Sequence, residues 1–211
     1  GDWRRVSYAQ MLESVRAIAQ GLLNYGLSAD KPLALLSGND IEHLQVALGA
    51  MYAGIPYCPV SPAYSLLSQD FAKLRHVCDL LQPGLVFVSD AAAYQRAIDA
   101  VLPAETPLIS VRGHVPGRAQ VSFASLLQTP GGSAADQAFN TTGPDSIAKF
   151  LFTSGSTKLP KAVITTQRML CANQQMLLQT FPVFGEEPPV LVDWLPWNHT
   201  FGGDRRASCR E

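Results

Sequence analysis

The chain has 211 residues, 47% hydrophobic and 16% charged, with a formal net charge of −1. That is enough apolar material for one large or two small cored domains, and the near-neutral balance gives no electrostatic case for nucleic acid or an anionic membrane. No apolar run is long enough to cross a bilayer. Cys58, Cys78, Cys171 and Cys209 lack metal-ligand spacing, and no secretory leader is read ahead of them. A reduced cytoplasm is therefore expected, with the cysteines as small buried apolar residues.

Ser7 followed by Gln10 forms a capping box, and Met11, Leu12, Val15, Ile18, Ala19, Leu22 and Leu23 then recur at helical spacing up to a stop at Gly26. Leu33–Leu36 reads as a buried strand. Asn39, with Glu42 three residues on, is expected to cap a second helix through about Tyr52. Pro56 and Pro59 place the stretch 55–60 at a sheet edge or on an irregular path. A third helix is expected over about Ser68–Leu81, with Phe71, Leu74, Val77, Cys78 and Leu81 on its apolar face. Strands at Leu85–Val88 and Leu108–Val111 flank a helix near Tyr94–Leu102. Such alternation predicts an α/β fold, a largely parallel sheet with flanking helices.

The Gly-, Ser- and Thr-rich stretch from Gly131 to Pro144 reads as a mobile connection. Then comes the most informative segment, Phe150-Leu151-Phe152-Thr153-Ser154-Gly155-Ser156-Thr157-Lys158-Leu159-Pro160-Lys161-Ala162-Val163-Ile164. It reads as strand, hydroxyl-rich loop, strand. Backbone N–H groups and hydroxyls in such a loop suit an anion, Gly155 permits close approach, and Lys161 adds a cation. A Walker A loop does not fit, because Pro160 has no N–H at the second glycine position and Ala162 replaces the magnesium-binding hydroxyl. Beyond it, Gln167–Phe181 has helical period through Met169, Leu170, Asn173, Met176 and Leu177. Val190–Leu195 is expected to be a strand, with Asp193 as a strand cap. His43, His76 and His114 are scattered and read as solvated.

The segment from Thr153 to Val163 resembles the phosphate loop of the adenylate-forming (AMP-binding) superfamily, Thr-Ser-Gly-Ser-Thr-Gly-x-Pro-Lys-Gly/Ala-Val, with Lys158 where glycine is usual. A second stretch, Trp194-Leu195-Pro196-Trp197-Asn198-His199-Thr200-Phe201-Gly202-Gly203, resembles the family segment that brings a histidine to the acyl pocket. Its wording, with Val60-Ser61-Pro62-Ala63-Tyr64-Ser65-Leu66-Leu67, is most like feruloyl-CoA synthases of the acyl-CoA synthetase branch.

The resemblance implies an ATP-dependent carboxylate–CoA ligase that makes an acyl-adenylate and pyrophosphate, then a CoA thioester and AMP. ATP, Mg2+ and CoA would take part, with a small-molecule carboxylic acid such as ferulate. By the same resemblance, Thr153, Ser154, Gly155, Ser156, Thr157, Lys158 and Lys161 would hold the phosphates. Lys161 and His199 would carry the chemistry, and Trp197, His199 and Phe201 would meet the acid. Lys158 either stiffens the loop or supplies a second cation. Trp194 is a further candidate lining residue, no protein metal site is expected, and the oligomeric state is left open.

Residues 1–203 are read as part of the family's N-terminal domain, with 204–211 a non-native or disordered tail. The family's Tyr-Gly-x-Thr-Glu and Thr-Gly-Asp motifs and its C-terminal lysine are not found in the sequence. The 211 residues alone are therefore expected to be inactive or nearly so. A non-catalytic nucleotide- or anion-binding module, or a truncated product without function, is the alternative.

Overall fold

A computed structural model of the chain describes residues 3–153, 159–187 and 189–199. In chain order its elements are α1 (Tyr8–Asn24), β1 (Leu33–Leu36), α2 (Ile41–Tyr52), β2 (Tyr57–Pro59), α3 (Ala63–Leu66), α4 (Ala72–Leu81), β3 (Leu85–Asp90), α5 (Ala91–Val101), β4 (Leu108–Arg112) and β5 (Gln120–Ser122). They continue with α6 (Phe123–Leu127), α7 (Ser133–Thr141), β6 (Ile147–Thr153), β7 (Lys161–Thr166), α8 (Gln167–Thr180) and α9 (Val183–Glu186). The strands form one sheet in the order β5-β4-β3-β1-β2-β6-β7. Every neighbouring pair is parallel except β6 and β7, which form an antiparallel hairpin. This is the expected α/β architecture.

Alternation along the central strands sorts side chains onto two helical layers. Leu33, Leu35, Leu85 and Phe87 join Ile18, Leu22, Val46 and Leu126 on the face covered by α1, α2, α6 and α7. Ala34, Leu36, Val86 and Val88 join Leu74, Val77, Tyr94 and Ile98 on the face covered by α4 and α5. A fully buried Leu or Ile contributes about 1.5–3 kcal/mol, so these two layers are the main source of stability.

The first helix is capped as its sequence predicts. Ser7 Oγ accepts from the Gln10 N–H at 3.2 Å, and Gln10 Oε1 accepts from the Ser7 N–H at 2.9 Å. Gly26, at φ 73°, turns the chain beyond it.

Several expectations are corrected. The α2 cap is Asp40, whose carboxylate accepts from the His43 N–H at 2.7 Å; Asn39 faces elsewhere. The proline-flanked stretch is no edge: β2 lies between β1 and β6, fully buried, with Pro56 before it and Pro59 its last residue. There the Val60 N–H continues the ladder to the Leu35 carbonyl at 3.0 Å. Helix α4 starts at Ala72 rather than Ser68, after Phe71 at φ 54°. The stretch read as a mobile connection contains α7. Ala135 is buried in the core, Phe139 stacks on Tyr52 at 4.5 Å, and Asp136 meets Arg16 and Tyr52.

On α8 only Leu170 is buried, whereas Met169 and Met176 are exposed. Cys58 and Cys78 are buried as expected, and burial pushes the Cys78 thiol up to about 12. Cys171 is exposed, and Cys209 lies outside the described residues. Among the described residues no helix is long and apolar enough to cross a membrane.

Candidate active site

Strand β1 is the point at which the strand order reverses. The chain leaves it through α2 to β2 on one side, then passes through α4 to β3 on the other. In open α/β sheets the crevice at the carboxyl ends of strands around such a point is where ligands bind. The polar run Ser37-Gly38-Asn39-Asp40 occupies the carboxyl end of this strand.

Thr153 ends β6, two strands away. Leu33 is level with Tyr57, and Tyr57 with Lys149. Four residues onward, Ser37 and Thr153 reach the same edge, separated by two inter-strand steps, about 9–10 Å. Across the hairpin, Thr153 pairs with Lys161, the first residue of β7, which is exposed. The residues expected to cradle phosphate between them, Ser154, Gly155, Ser156, Thr157 and Lys158, lie outside the described residues. Their two flanks, Thr153 and Lys161, are strand ends at the carboxyl edge. His76 on α4 braces the hairpin mouth: its Nε2 lies 2.9 Å from the Pro160 carbonyl oxygen and donates to it. The expectation of a solvated His76 is thereby corrected.

The histidine segment reaches the same edge by a different route. Residues 190–194 form no strand, and Val190, Val192 and Trp194 are 80–96% exposed. Too few apolar side chains find a covering layer there for the sequence period to act. Asp193 therefore caps no strand; its carboxylate accepts from the Leu195 N–H at 2.9 Å. Trp194 is exposed among the described residues.

From Leu195 onward the chain docks. Asn39 Nδ2 donates to the Leu195 carbonyl at 2.7 Å, and Asn39 Oδ1 accepts from the Trp197 N–H at 3.1 Å. The Trp197 ring meets His43 edge-on, with centroids 5.1 Å apart. His43 is 3% exposed, with Nδ1 2.6 Å from Ser37 Oγ, which corrects the expectation that it is solvated. His199 is exposed, and its N–H closes a turn on the Pro196 carbonyl at 3.2 Å. Phe201 lies outside the described residues.

Charges at this edge are partly neutralised. Asp40, half-buried, has its carboxyl raised above the usual range by burial, against the pull of the His43 N–H and of Arg112 and Arg4. For Glu42, burial also pushes upward, but the hydrogen bond and charge of Arg4 prevail and lower it. Asp90 at the end of β3 is lowered by Arg112, 2.9 Å away at the end of β4. No cluster of three His, Cys, Asp or Glu stands ready for a metal among the described residues.

Ser37, Asn39 and His43, which the sequence reading does not single out as candidates, also stand at this edge. A polar tetrad directly after a wholly apolar strand was the available signal.

The profile of the AMP-binding enzyme family matches residues 1–204. The chain belongs to that family. It is 24% identical over 205 residues to luciferin 4-monooxygenase of Photinus pyralis, covering 93% of this chain and 36% of that protein. It is also 24% identical over 204 residues to a dioxo-octahydro-indenyl-propanoyl:CoA ligase of Rhodococcus jostii, covering 94% of this chain and 39% of that one. A structure from work on fatty acyl-adenylate ligases of E. coli and L. pneumophila superposes with a TM-score of 0.72 at 24% identity, covering 97% of this chain and 34% of the other. The chain thus spans little more than a third of the length of these relatives.

Proposed function

We propose that the chain is part of an ATP-dependent carboxylate–CoA ligase acting on an aromatic acid such as ferulate. What supports the reading is that Thr153 and Lys161, the flanks of the first motif, and Leu195 and Trp197 of the second stand at one carboxyl edge of the sheet. Family membership supports adenylate formation, and a CoA ligase stands among the relatives. The wording of the histidine segment supports the aromatic acid.

In the first half-reaction an acid oxygen attacks the α-phosphorus of ATP. The bond from that phosphorus to the bridging oxygen breaks, and pyrophosphate leaves with the bridging electrons. Thr153, with Ser154, Gly155, Ser156, Thr157 and Lys158, donates to the β- and γ-phosphates, and Lys161 balances the charge that grows on the leaving group. Preorganised donors and cations of this kind supply most of such a rate enhancement. Mg2+ would accompany ATP and supply further positive charge to its phosphates. His199, with Trp197 and Phe201 beside it, orients the acid. In the second half the CoA sulfur attacks the acyl carbon, and the acyl–oxygen bond to AMP breaks. The protein works in the cytoplasm. Residues 1–203 form part of a larger ligase domain, and the 211 residues alone release little or no activated acid.

The test is hydroxylamine trapping with ATP and a panel of aromatic and fatty acids, run on this chain and on the parent ligase that carries it. Ferulate-dependent hydroxamate from the parent supports the reading. Hydroxamate with fatty acids only overturns the aromatic substrate, none with any acid overturns the ligase, and robust product from the 211 residues overturns their predicted inactivity.

A further inference from the structure

The Asn39 carboxamide makes a pair of bonds whose geometry is that of a strand partner. It donates to the carbonyl of Leu195 and accepts from the N–H of Trp197. In a parallel sheet, one residue bonds in this way to the two residues flanking its opposite number. Here the flanked residue is Pro196, which has no N–H of its own to satisfy. Upstream of this point the segment lies in solvent, Val192 at 93% and Trp194 at 80% exposure; at this point it meets the body of the fold. Two residues on, Trp197 rests edge-on against His43, whose ring is held beside Ser37. Asn39 itself plays no part in capping α2, because Asp40 fills that role.

We infer that Asn39 is a positioning residue, a latch that fixes the histidine-bearing segment to the carboxyl end of β1 and so sets where His199 stands. The chemistry selects asparagine. One donor and one acceptor are needed side by side on a short stem, and aspartate lacks the donor while alanine lacks both. The effect on substrate rests on the proposed role of His199 in meeting the acid; the latch itself does not.

The test is amide hydrogen exchange on the 211-residue chain, comparing it with Asn39→Ala. The Trp197 amide is expected to exchange about tenfold faster in the variant, as for the loss of one net hydrogen bond, with β1 and the α1–α2 layer unchanged. In a Trp3→Phe, Trp194→Phe background, the emission of Trp197 shifts to the red as its ring leaves His43. Unchanged exchange at Trp197 overturns the latch. Faster exchange spread through β1 and α2 overturns it as well, since the residue would then merely support that turn. Neither readout needs turnover, so a parent protein without ligase activity would sink the function proposed above and leave the latch standing. Where the parent does turn over, Asn39→Ala raises KM for the acid and leaves KM for ATP unchanged; a rise in both contradicts a role through His199.

Discussion

Thr153 and Lys161 face each other across the last rung of the β6–β7 ladder. The pairing puts the lysine at the mouth of the hairpin, on the edge of the sheet where parallel strands end and ligands collect. Lys161 is exposed there, and His76 holds the adjoining Pro160 carbonyl at 2.9 Å. The cation is therefore carried by a strand end braced from α4.

The α1–α2 contact leaves no room for a side chain at Gly49. A Cβ there would come within 2.5 Å of Ile18 Cγ2 and 3.4 Å of the Ala19 nitrogen. Ile18 is fully buried, so the clash forces a shift in packed core. Gly49→Ala should cost about 1–3 kcal/mol despite its better helix propensity. Urea unfolding followed by circular dichroism checks this, and a stabilised variant would contradict the packing described.

Asp136 ties α7 to the first two helices. Its carboxylate accepts from Arg16 and from the Tyr52 hydroxyl, and these bonds hold it below the usual aspartate range. A lowered folded value means that the contribution is fully present above the ordinary value near 4 and is lost as pH falls through the depressed value. Asp136→Asn should therefore lower the urea midpoint at pH 7, with the difference from the unsubstituted chain closing as the pH is lowered toward 3. A difference that stays constant with pH would rule out the ion pair as its source.

Asp40 behaves in the opposite sense. Burial raises its folded value, so its contribution to stability falls as pH rises from about 4 through that raised value. Asn caps a helix as well as Asp does. Asp40→Asn should thus match or exceed the unsubstituted chain at pH 7 and lack that decline, whereas Asp40→Ala should lose about 1 kcal/mol with the cap. Thermal melts at pH 4 and pH 7 distinguish the three proteins.

The α/β architecture and the two strands flanking the Thr153–Lys161 segment were legible because apolar period is a local signal. Ser7 and Gln10 announced their cap for the same reason. What escaped was decided by neighbours far along the chain. Pro56 and Pro59 argue locally for an edge, yet the strand between them is buried because β1 and β6 close on both of its sides. The Gly131–Pro144 stretch looks like a linker, yet Ala135, Asp136 and Phe139 find α1 and α2 waiting. At the site, Asn39 and His43 meet partners more than 150 residues downstream. Conversely, the apolar run at 190–195 reads locally as a strand, yet residues 190–194 form none among the described residues.

Calorimetric titration of the 211-residue chain with ATP tests whether the segment from Thr153 to Lys161 receives the phosphates, as proposed. The proposed phosphate role predicts binding that inorganic triphosphate displaces and adenosine does not, the family's adenine and ribose motifs being absent from these 211 residues. It also predicts that Lys161→Ala weakens the binding by about tenfold or more, as for the loss of a charge-assisted contact. No binding of ATP, or binding that adenosine displaces and that Lys161→Ala leaves intact, would contradict it.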